Sequence, residues 1–444
     1  LLIVVDEVHS SDSYMNEILA QVLHWHEKCG GHSLLMSATL LAETRNMFLS
    51  GNRSKGMCTD LDASVKTSFP LICNKSFSDQ SVTECHPAPA AKKNIRFELC
   101  SEIDDSGSVA NRALDAASKG AHVLVIRNLV RDCLDTQVEL EEQAKQRGLS
   151  EVLLSARESP VPHHSRYARE DRKTIDKEIE KAFGEDRPAA GCIAVATQTV
   201  QQSLDLDADL LITDICPMDV LLQRVGRLHR HDRRDRPKGF EGALAFVLVP
   251  KCEDISSFIR SDGEARGPHG IGTVYDDVGM IESTWYLLKQ GKEFTIPDDS
   301  RFLIENSLHS SVLSDRAKQL GCRWVKHRQR VRGGVISQKQ QAKIGMAEWD
   351  SFFGEAPSCF PDYSKGGTIG TRLGLDDRLI SLPNTIDTAL GNEVTSLKLP
   401  GHLVQGVSTE DTKAKNLKET AVGCFEFFFA GEDYKYDRYG LQKL

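Results

Sequence analysis

The sequence lacks any run of about 18 apolar residues, the length that marks a membrane-spanning helix. It has no C-x-x-C pair among its 12 cysteines. Scattered cysteines in so long a chain argue against a zinc ribbon or disulfide scaffold and read as reduced, mostly buried thiols of a cytoplasmic protein. Positive charge is not in excess either: 55 Lys and Arg against 64 Asp and Glu leave a net charge of −9. Wholesale electrostatic binding of nucleic acid is excluded, and any such binding must use local basic patches. The absence that bears most on chemistry is a G-x-x-x-x-G-K-[ST] loop, the cradle for nucleotide phosphates. The nearest glycine pair, Gly30-Gly31, has no Lys-Ser or Lys-Thr after it. No Met opens the chain, which starts inside a strand-like run, Leu1-Leu2-Ile3-Val4-Val5. That opening predicts a fragment.

What is present is a repeated strand–helix alternation. Leu1–Val5 reads as a strand buried on both faces of a parallel sheet. Met15–Trp25 has helical spacing, with Ile18, Leu19, Val22 and Leu23 on one side. A short strand at Ser33–Met36 and a helix near Leu41–Leu49 follow, then a poorly patterned stretch over 51–93. The alternation resumes with strands at Ile95–Leu99, His122–Ile126, Val152–Leu154, Cys192–Ala196, Leu210–Thr213 and Leu244–Val249. Helices are predicted between them at Val109–Ser118, Leu129–Lys145, Ala168–Phe183 and Val220–Arg227. This pattern predicts an α/β fold with parallel sheets. After Pro250 the pattern turns helical, over Tyr275–Gln290 and Arg301–Leu320, and from about 356 short strand-like runs predict a small C-terminal domain. There Phe425, Phe427 and Phe429 share one strand face, with Tyr434 and Tyr436 behind them.

The residues that carry chemistry sit at strand ends. Asp6-Glu7-Val8-His9 follows the first strand, where parallel sheets bind ligands. There Asp6 can hold Mg²⁺ through water and Glu7 can polarise a water for attack on a γ-phosphate. Ser37-Ala38-Thr39 ends the next strand, and its hydroxyls can tie the acidic segment to a neighbouring lobe. Ala196-Thr197-Gln198 and Gln202-Ser203-Leu204-Asp205 precede Gln223-Arg224-Val225-Gly226-Arg227-Leu228-His229-Arg230-His231. Arginines three apart share a helical face, and two guanidinium forks could meet a phosphate held by another lobe.

In this order the segments resemble motifs II, III, V and VI of superfamily-two helicases. The wording of Ala196–Asp207, Cys216-Pro217-Met218-Asp219 and Gln223–His231 resembles the helicase–nuclease of type I CRISPR systems, which cuts DNA marked by the crRNA-guided Cascade complex. Phe294–Arg301 and Thr371-Arg372-Leu373-Gly374 extend the likeness. The resemblance implies RecA-like parallel-sheet helicase lobes, a helical linker and a small α+β accessory C-terminal domain. It places the end of the first lobe at 1–93, the second lobe at 94–250, the linker at 251–355 and the accessory domain at 356–444. It implies ATP and Mg²⁺ as cofactors and 3′-to-5′ movement on single-stranded DNA. It makes Asp6 and Glu7 the Mg-ATP carboxylates and has His9 couple the nucleotide to motif VI. Ser37 and Thr39 link hydrolysis to DNA movement, Thr197 faces the DNA backbone and Asp205 the nucleotide. Gln223 approaches the γ-phosphate, Arg227 and Arg230 are the fingers, and Arg224 bridges the lobes. The family's phosphate loop and metal-dependent HD nuclease lie upstream of Asp6, outside this sequence.

Other features divide between function and solvated surface. His231-Asp232 is an HD dipeptide without flanking ligands, and reads as part of a basic loop. His163-His164 and His24-x-His26 read as surface histidines. Arg230–Lys238 is basic, and so is 316–343, where Arg328, Arg330 and Arg332 could track a single strand. Two other readings stay open: another superfamily-two DNA or RNA helicase, and a non-catalytic piece that binds only DNA or Cascade.

Overall fold

The computed structural model describes residues 1–50, 59–76, 81–87, 91–201, 204–252, 254–346, 377–404, 407 and 411–444. Gln202, Ser203, Thr371–Gly374 and the predicted boundary at 356 lie outside the described residues. Strands β1 (Leu2–Val5) and β2 (His32–Leu35) pair in parallel around the helix Ser13–Lys28. The run Leu1–Val5 is a strand as expected, but it is not buried on both faces. Leu2 and Val4 stay more than half exposed at 59% and 53%. The two-stranded sheet is packed by the helix on one side, and its other face carries no layer among the described residues. The helix buries Tyr14, Glu17, Ala20 and Leu23, so of the predicted stripe only Leu23 lies fully inside and Val22 faces solvent.

The main body is a six-stranded sheet. Strands β3 (Lys93–Cys100), β4 (His122–Ile126), β5 (Cys192–Ala196), β6 (Leu210–Asp214), β7 (Ala243–Leu248) and β8 (Glu293–Ile296) stand in the order β8-β3-β7-β6-β4-β5. All pairs are parallel except β8 against β3. The central strands β4 and β6 are buried along their whole length, as their apolar runs Val123–Ile126 and Leu210–Ile212 require when helices cover both faces. Each such side chain contributes about 1.5–3 kcal/mol. The helices Ser106–Ala117 and Val130–Arg147 put Val109, Leu114 and Leu140 into that core. Val152–Leu154 is not a strand: Ser150–Val152 is a single helical turn, and Leu153 makes only a lone bridge to Ile193.

The body does not stop at 250. Strand β8 closes the sheet edge, and Ile281, Trp285, Leu303 and Leu308 from the helices Val278–Gln290 and Ser300–Leu308 join the same core. The predicted helix Arg301–Leu320 breaks at His309 into two. Arg316 and Lys318 belong to the second of these, and most of the basic stretch is one long helix, Cys322–Gly345, with Trp324 and His327 planted in the body. Its far end reaches the first segment, where Ala342 is buried and Lys343 lies 3.6 Å from Glu17.

The C-terminal part has a core of its own. A four-stranded antiparallel sheet spans Lys415–Ala421, Cys424–Phe429, Glu432–Asp437 and Gly440–Lys443. Phe425, Phe427, Phe429, Tyr434 and Tyr436 fill it, the face that the alternation predicted. Among the described residues no helix is long and apolar enough to cross a membrane, and no disulfide forms.

Candidate functional site

Two walls carry the residues singled out above. On the first, β1 ends and the chain turns sharply. Glu7 takes a left-handed conformation (φ 52°) and its N–H donates to Asp6 Oδ1 at 2.8 Å. Val8 plugs into the interior, which leaves Asp6 and Glu7 exposed. His9 Nδ1 lies 2.9 Å from Ser37 Oγ and 3.3 Å from Glu7 Oε2. The Thr39 N–H in turn donates to Ser37 Oγ at 3.3 Å. His9 thus ties the acidic segment to the Ser-Ala-Thr segment of its own wall. Asp6 and Glu7 are two exposed carboxylates, a donor set that suits a hydrated Mg²⁺, which keeps several waters and takes few protein ligands. Among the described residues no group of three or more His, Cys, Asp or Glu gathers as a metal cage would.

The second wall grows from the carboxyl ends of β5 and β6. Thr197 follows β5 and is buried, its Oγ1 3.3 Å from Thr199 Oγ1. Thr199 is 3.0 Å from His163 Nδ1, and His163 Nε2 is 2.7 Å from Asp176, which also accepts from Arg172 Nε at 2.7 Å. His163 and His164 are therefore not surface residues. Both are fully buried, and burial holds both below the usual histidine range, His164 at about 3. Pattern reading missed this brace because it joins segments that only the tertiary fold brings together.

The helix Met218–Val225 stops at Gly226. A Cβ there would sit 2.9 Å from the Gln223 carbonyl, so the turn is tight. The three arginines consequently do not share one helical face. Arg224 points into the body and is fully buried. It donates to Thr213 Oγ1 (2.7 Å), the Asp214 carbonyl (3.1 Å), Asn128 Oδ1 (2.9 Å) and Tyr275 Oη (3.1 Å). It braces the second lobe internally and does not bridge lobes. Arg227 and Arg230 lie beyond the helix end. Arg227 donates to the Gln201 carbonyl at 2.6 Å, and Arg230 Nε lies 2.5 Å from Asp205 Oδ1. Burial lowers the Arg227 pKa, Arg230 adds to that, and Asp205 and Glu7 oppose it. Gln223 is half-buried on the same helix.

In the basic loop after this helix Arg233 and Arg236 turn inward, while Arg230, Arg234 and Lys238 stay exposed. Arg233 and Arg236 grip Asp207 at 2.7 and 2.9 Å, and Arg236 and Arg187 grip Asp209 at 2.7 and 2.6 Å. Those arginines are spent on a buried ion network and are not open to a strand of nucleic acid. His231 of the HD dipeptide stands 3.3 Å from Asp205.

Between the walls runs a cleft of about 1060 Å³. His9 and Thr39 line it from one side, Asp219 and Val220 from the other, and Arg328, Arg330 and Arg332 along its length. Burial raises the Asp219 pKa, and His9 opposes that from across the cleft. The three arginines are unequal. Arg328 is held by Asp277 at 2.8 Å and partly buried; Arg332 donates to Ser314 Oγ at 2.8 Å and is exposed, as is Arg330.

A family model described as CRISPR-associated nuclease/helicase Cas3, C-terminal, matches residues 119–233. The CRISPR-associated endonuclease/helicase Cas3 of Escherichia coli (strain K12) is 31% identical over 328 residues, 72% of this chain and 34% of that protein. The protein of the same name from Thermus thermophilus is 30% identical over 337 residues, 68% of this chain and 34% of the relative. The chain thus spans about a third of the length of these relatives. The crystal structure of T. fusca Cas3 with AMPPNP superposes with a TM-score of 0.75 at 20% identity, over 99% of this chain and 54% of that one. A chain from a CRISPR RNA-guided surveillance complex, pre-nicking, gives 0.68 at 20% identity, over 99% of this chain and 56% of that one. At such identity the two structural likenesses concern the fold.

Proposed function

Because this chain is a Cas3-family C-terminal helicase portion, we propose that it forms half of an ATP-driven motor that moves 3′ to 5′ along single-stranded DNA and degrades invader DNA with the crRNA-guided Cascade complex. The observation that carries this reading is the placement of the exposed Asp6 and Glu7 just beyond β1 on one wall and of Arg227 and Arg230 just beyond the helix Met218–Val225 on the other. In a two-lobed motor, acids on one lobe and arginines on the other are what make hydrolysis depend on closure. Bound Mg-ATP supplies the phosphoryl group that passes to water. Asp6 would hold the metal through water, and Glu7 would orient and deprotonate the attacking water. Arg227 and Arg230 would stabilise charge on the transferring group, with Gln223 beside them and Asp205 facing the nucleotide. His9, through Ser37, and Thr39 would pass the state of that site to the cleft. The exposed Arg330 and Arg332 would meet the DNA backbone, with Arg328 steadying their helix; Thr197, expected to face the DNA, is buried here and would act from beneath that surface. The motor acts in the cytoplasm, where its thiols stay reduced.

A phosphate-binding loop must come from outside these 444 residues, and the HD nuclease likewise. ATP hydrolysis by the chain alone, and by the chain combined with a polypeptide that carries the phosphate loop, tests the reading. Single-stranded DNA should stimulate turnover only in the combination, and RNA should stimulate it less. Robust turnover by the chain alone, or none in the combination, would overturn it. Stronger stimulation by RNA would point to an RNA helicase.

A further inference from the structure

We infer that Lys93 is a positioning residue for the arginine pair: its ammonium fixes the turn from which Arg227 and Arg230 project. The inference rests on the arginine roles proposed above.

Lys93 opens strand β3, far in sequence from the arginines. Its Nζ donates to the Val225 carbonyl at 2.9 Å and to the Leu228 carbonyl at 2.7 Å. Val225 is the last residue of its helix, where carbonyls have no partner further along the helix and attract cations. The two carbonyls stand on either side of Gly226-Arg227. One charged group therefore closes the turn from both sides. The rest of the turn is held by backbone, with Arg227 N–H donating to the Arg224 carbonyl at 2.9 Å and Ala208 N–H to the Arg227 carbonyl at 2.8 Å, and further on by Asp207 Oδ1, which accepts the Arg230 N–H at 2.7 Å. Without Lys93 the Val225 and Leu228 carbonyls would lose their cationic partner, and the turn that carries Arg227 would lose the one charged tie that spans it.

Charge around Lys93 is mixed. Burial lowers its pKa to about 8; Asp207 opposes this, and Arg230, Arg236 and Arg227 add to it. The ammonium therefore loses its proton within a range where arginine keeps its charge. Neutral Lys93 still donates, but without the charge that strengthens both bonds.

The experiment uses the hydrolysing combination described above. In the unmodified protein, kcat should step down near pH 8. Lys93→Met should lower kcat at pH 7 by about tenfold or more, as the loss of charged hydrogen bonds implies. KM for ATP should change by no more than about threefold, since the turn matters to the transition state. The step near pH 8 should vanish in that variant. Lys93→Arg keeps a cation that does not titrate here, and should recover part of kcat with no step. A kcat for Lys93→Met within about twofold of the parent, or a step that persists in it, would overturn the proposal. If that variant does not fold, the unmodified profile decides, and a flat kcat through pH 8 overturns it. Arg227→Ala separates the two levels. If it too hydrolyses normally, the finger reading has failed; if it is inactive while Lys93→Met is not, only the Lys93 role falls.

Discussion

Arg224 donates to Asn128 Oδ1 across 2.9 Å, and this contact divides the three arginines into one that builds the lobe and two that are left for chemistry. The Asn128 N–H donates to Asp214 Oδ2 and its side chain donates to the Ile215 and His269 carbonyls. Arg224→Met should strand Asn128, Thr213 and Tyr275 and cost at least about 2 kcal/mol. Arg230→Ala, at an exposed position, should change stability by less than about 0.5 kcal/mol. Urea unfolding of both variants checks the contrast, and equal midpoints would refute it.

Hydrolysis should show the reverse order. In the combination that carries a phosphate loop, Arg227→Ala or Arg230→Ala should slow turnover by on the order of 10³-fold, the range for arginine fingers. Nucleotide binding should weaken far less. Single-turnover kinetics alongside nucleotide titrations would separate the two, and turnover within a few-fold of the parent would leave both arginines as surface charge.

Much of this site was legible because its signals are local. Cys192–Ala196 is a five-residue apolar run between turn residues, and the strand observed has those bounds. Asp6 and Glu7 sit just beyond their strand for the same reason. The phase of the arginines was not legible. Their spacing fits a helix, but Gly226 ends the helix between Arg224 and Arg227, so one faces inward and the others do not. Burial of His163 and His164 was invisible for a different reason. It depends on Asp176 from a later helix and on the C-terminal sheet, where His164 approaches Gly440. Exposure of Leu2 and Val4 was missed because an apolar strand predicts neighbours and cannot say whether they are present.

His269 should give stability a pH dependence. Its Nδ1 is 2.8 Å from Asp132 and its Nε2 2.7 Å from Asp104. Burial opposes the charge on the ring, but the two carboxylates outweigh it and raise the pKa. A raised folded value means the stabilisation is full below the unfolded value of about 6.5 and is lost as pH rises through the folded value. His163, His164 and His229 are shifted down and work in the opposite sense, so only a difference isolates His269. The stability gap between the parent and His269→Gln should be larger at pH 6 than at pH 8.5 in urea titrations. A gap independent of pH would show that the ring is neutral.

DNA binding should report the inequality among the cleft arginines. Each exposed arginine that meets a phosphate contributes about −0.7 to the log–log salt slope on a single strand. Arg330→Ala and Arg332→Ala should each flatten the slope by about that amount. Arg328→Ala should leave the slope nearly unchanged and lower stability instead, because it strips Asp277 of its guanidinium partner. Anisotropy titrations with a labelled oligonucleotide from 50 to 300 mM salt, a range of roughly the span where such slopes are read, distinguish these outcomes. Identical slopes for all four proteins would assign the patch to solvent.

The C-terminal sheet should prove to be part of the second lobe's stability. Asp171 is buried on the helix Arg169–Phe183 and accepts from Thr388 Oγ1 at 2.7 Å, Asn392 Nδ2 at 2.8 Å and Tyr436 Oη at 2.6 Å. Tyr436 Oη also accepts the Ala168 N–H at 3.0 Å. Burial, with Asp171 beside it, holds the Tyr436 pKa well above its ordinary value, so it remains a donor. Arg438 reaches Glu141 at 2.7 Å and the Pro160 carbonyl at 2.8 Å, and Leu441 N–H the Arg166 carbonyl at 2.7 Å. Ala168 even counts in the C-terminal core. The sequence reads as a separate accessory domain over 356–444. These contacts predict otherwise. Tyr436→Phe takes a donor from Asp171 and an acceptor from Ala168, and should cost about 1–3 kcal/mol. Removing 377–444 leaves Asp171 without three donors and uncovers Tyr167. It should speed hydrogen exchange along Arg169–Phe183 while the amides of β4 and β6 stay protected. The helix also holds Asp176, the anchor of His163 and so of the Thr197 turn. Loosening should therefore weaken DNA binding before it affects the strands. Unchanged exchange at Arg169–Phe183 in the truncated chain would mean the sheet is a separable module after all.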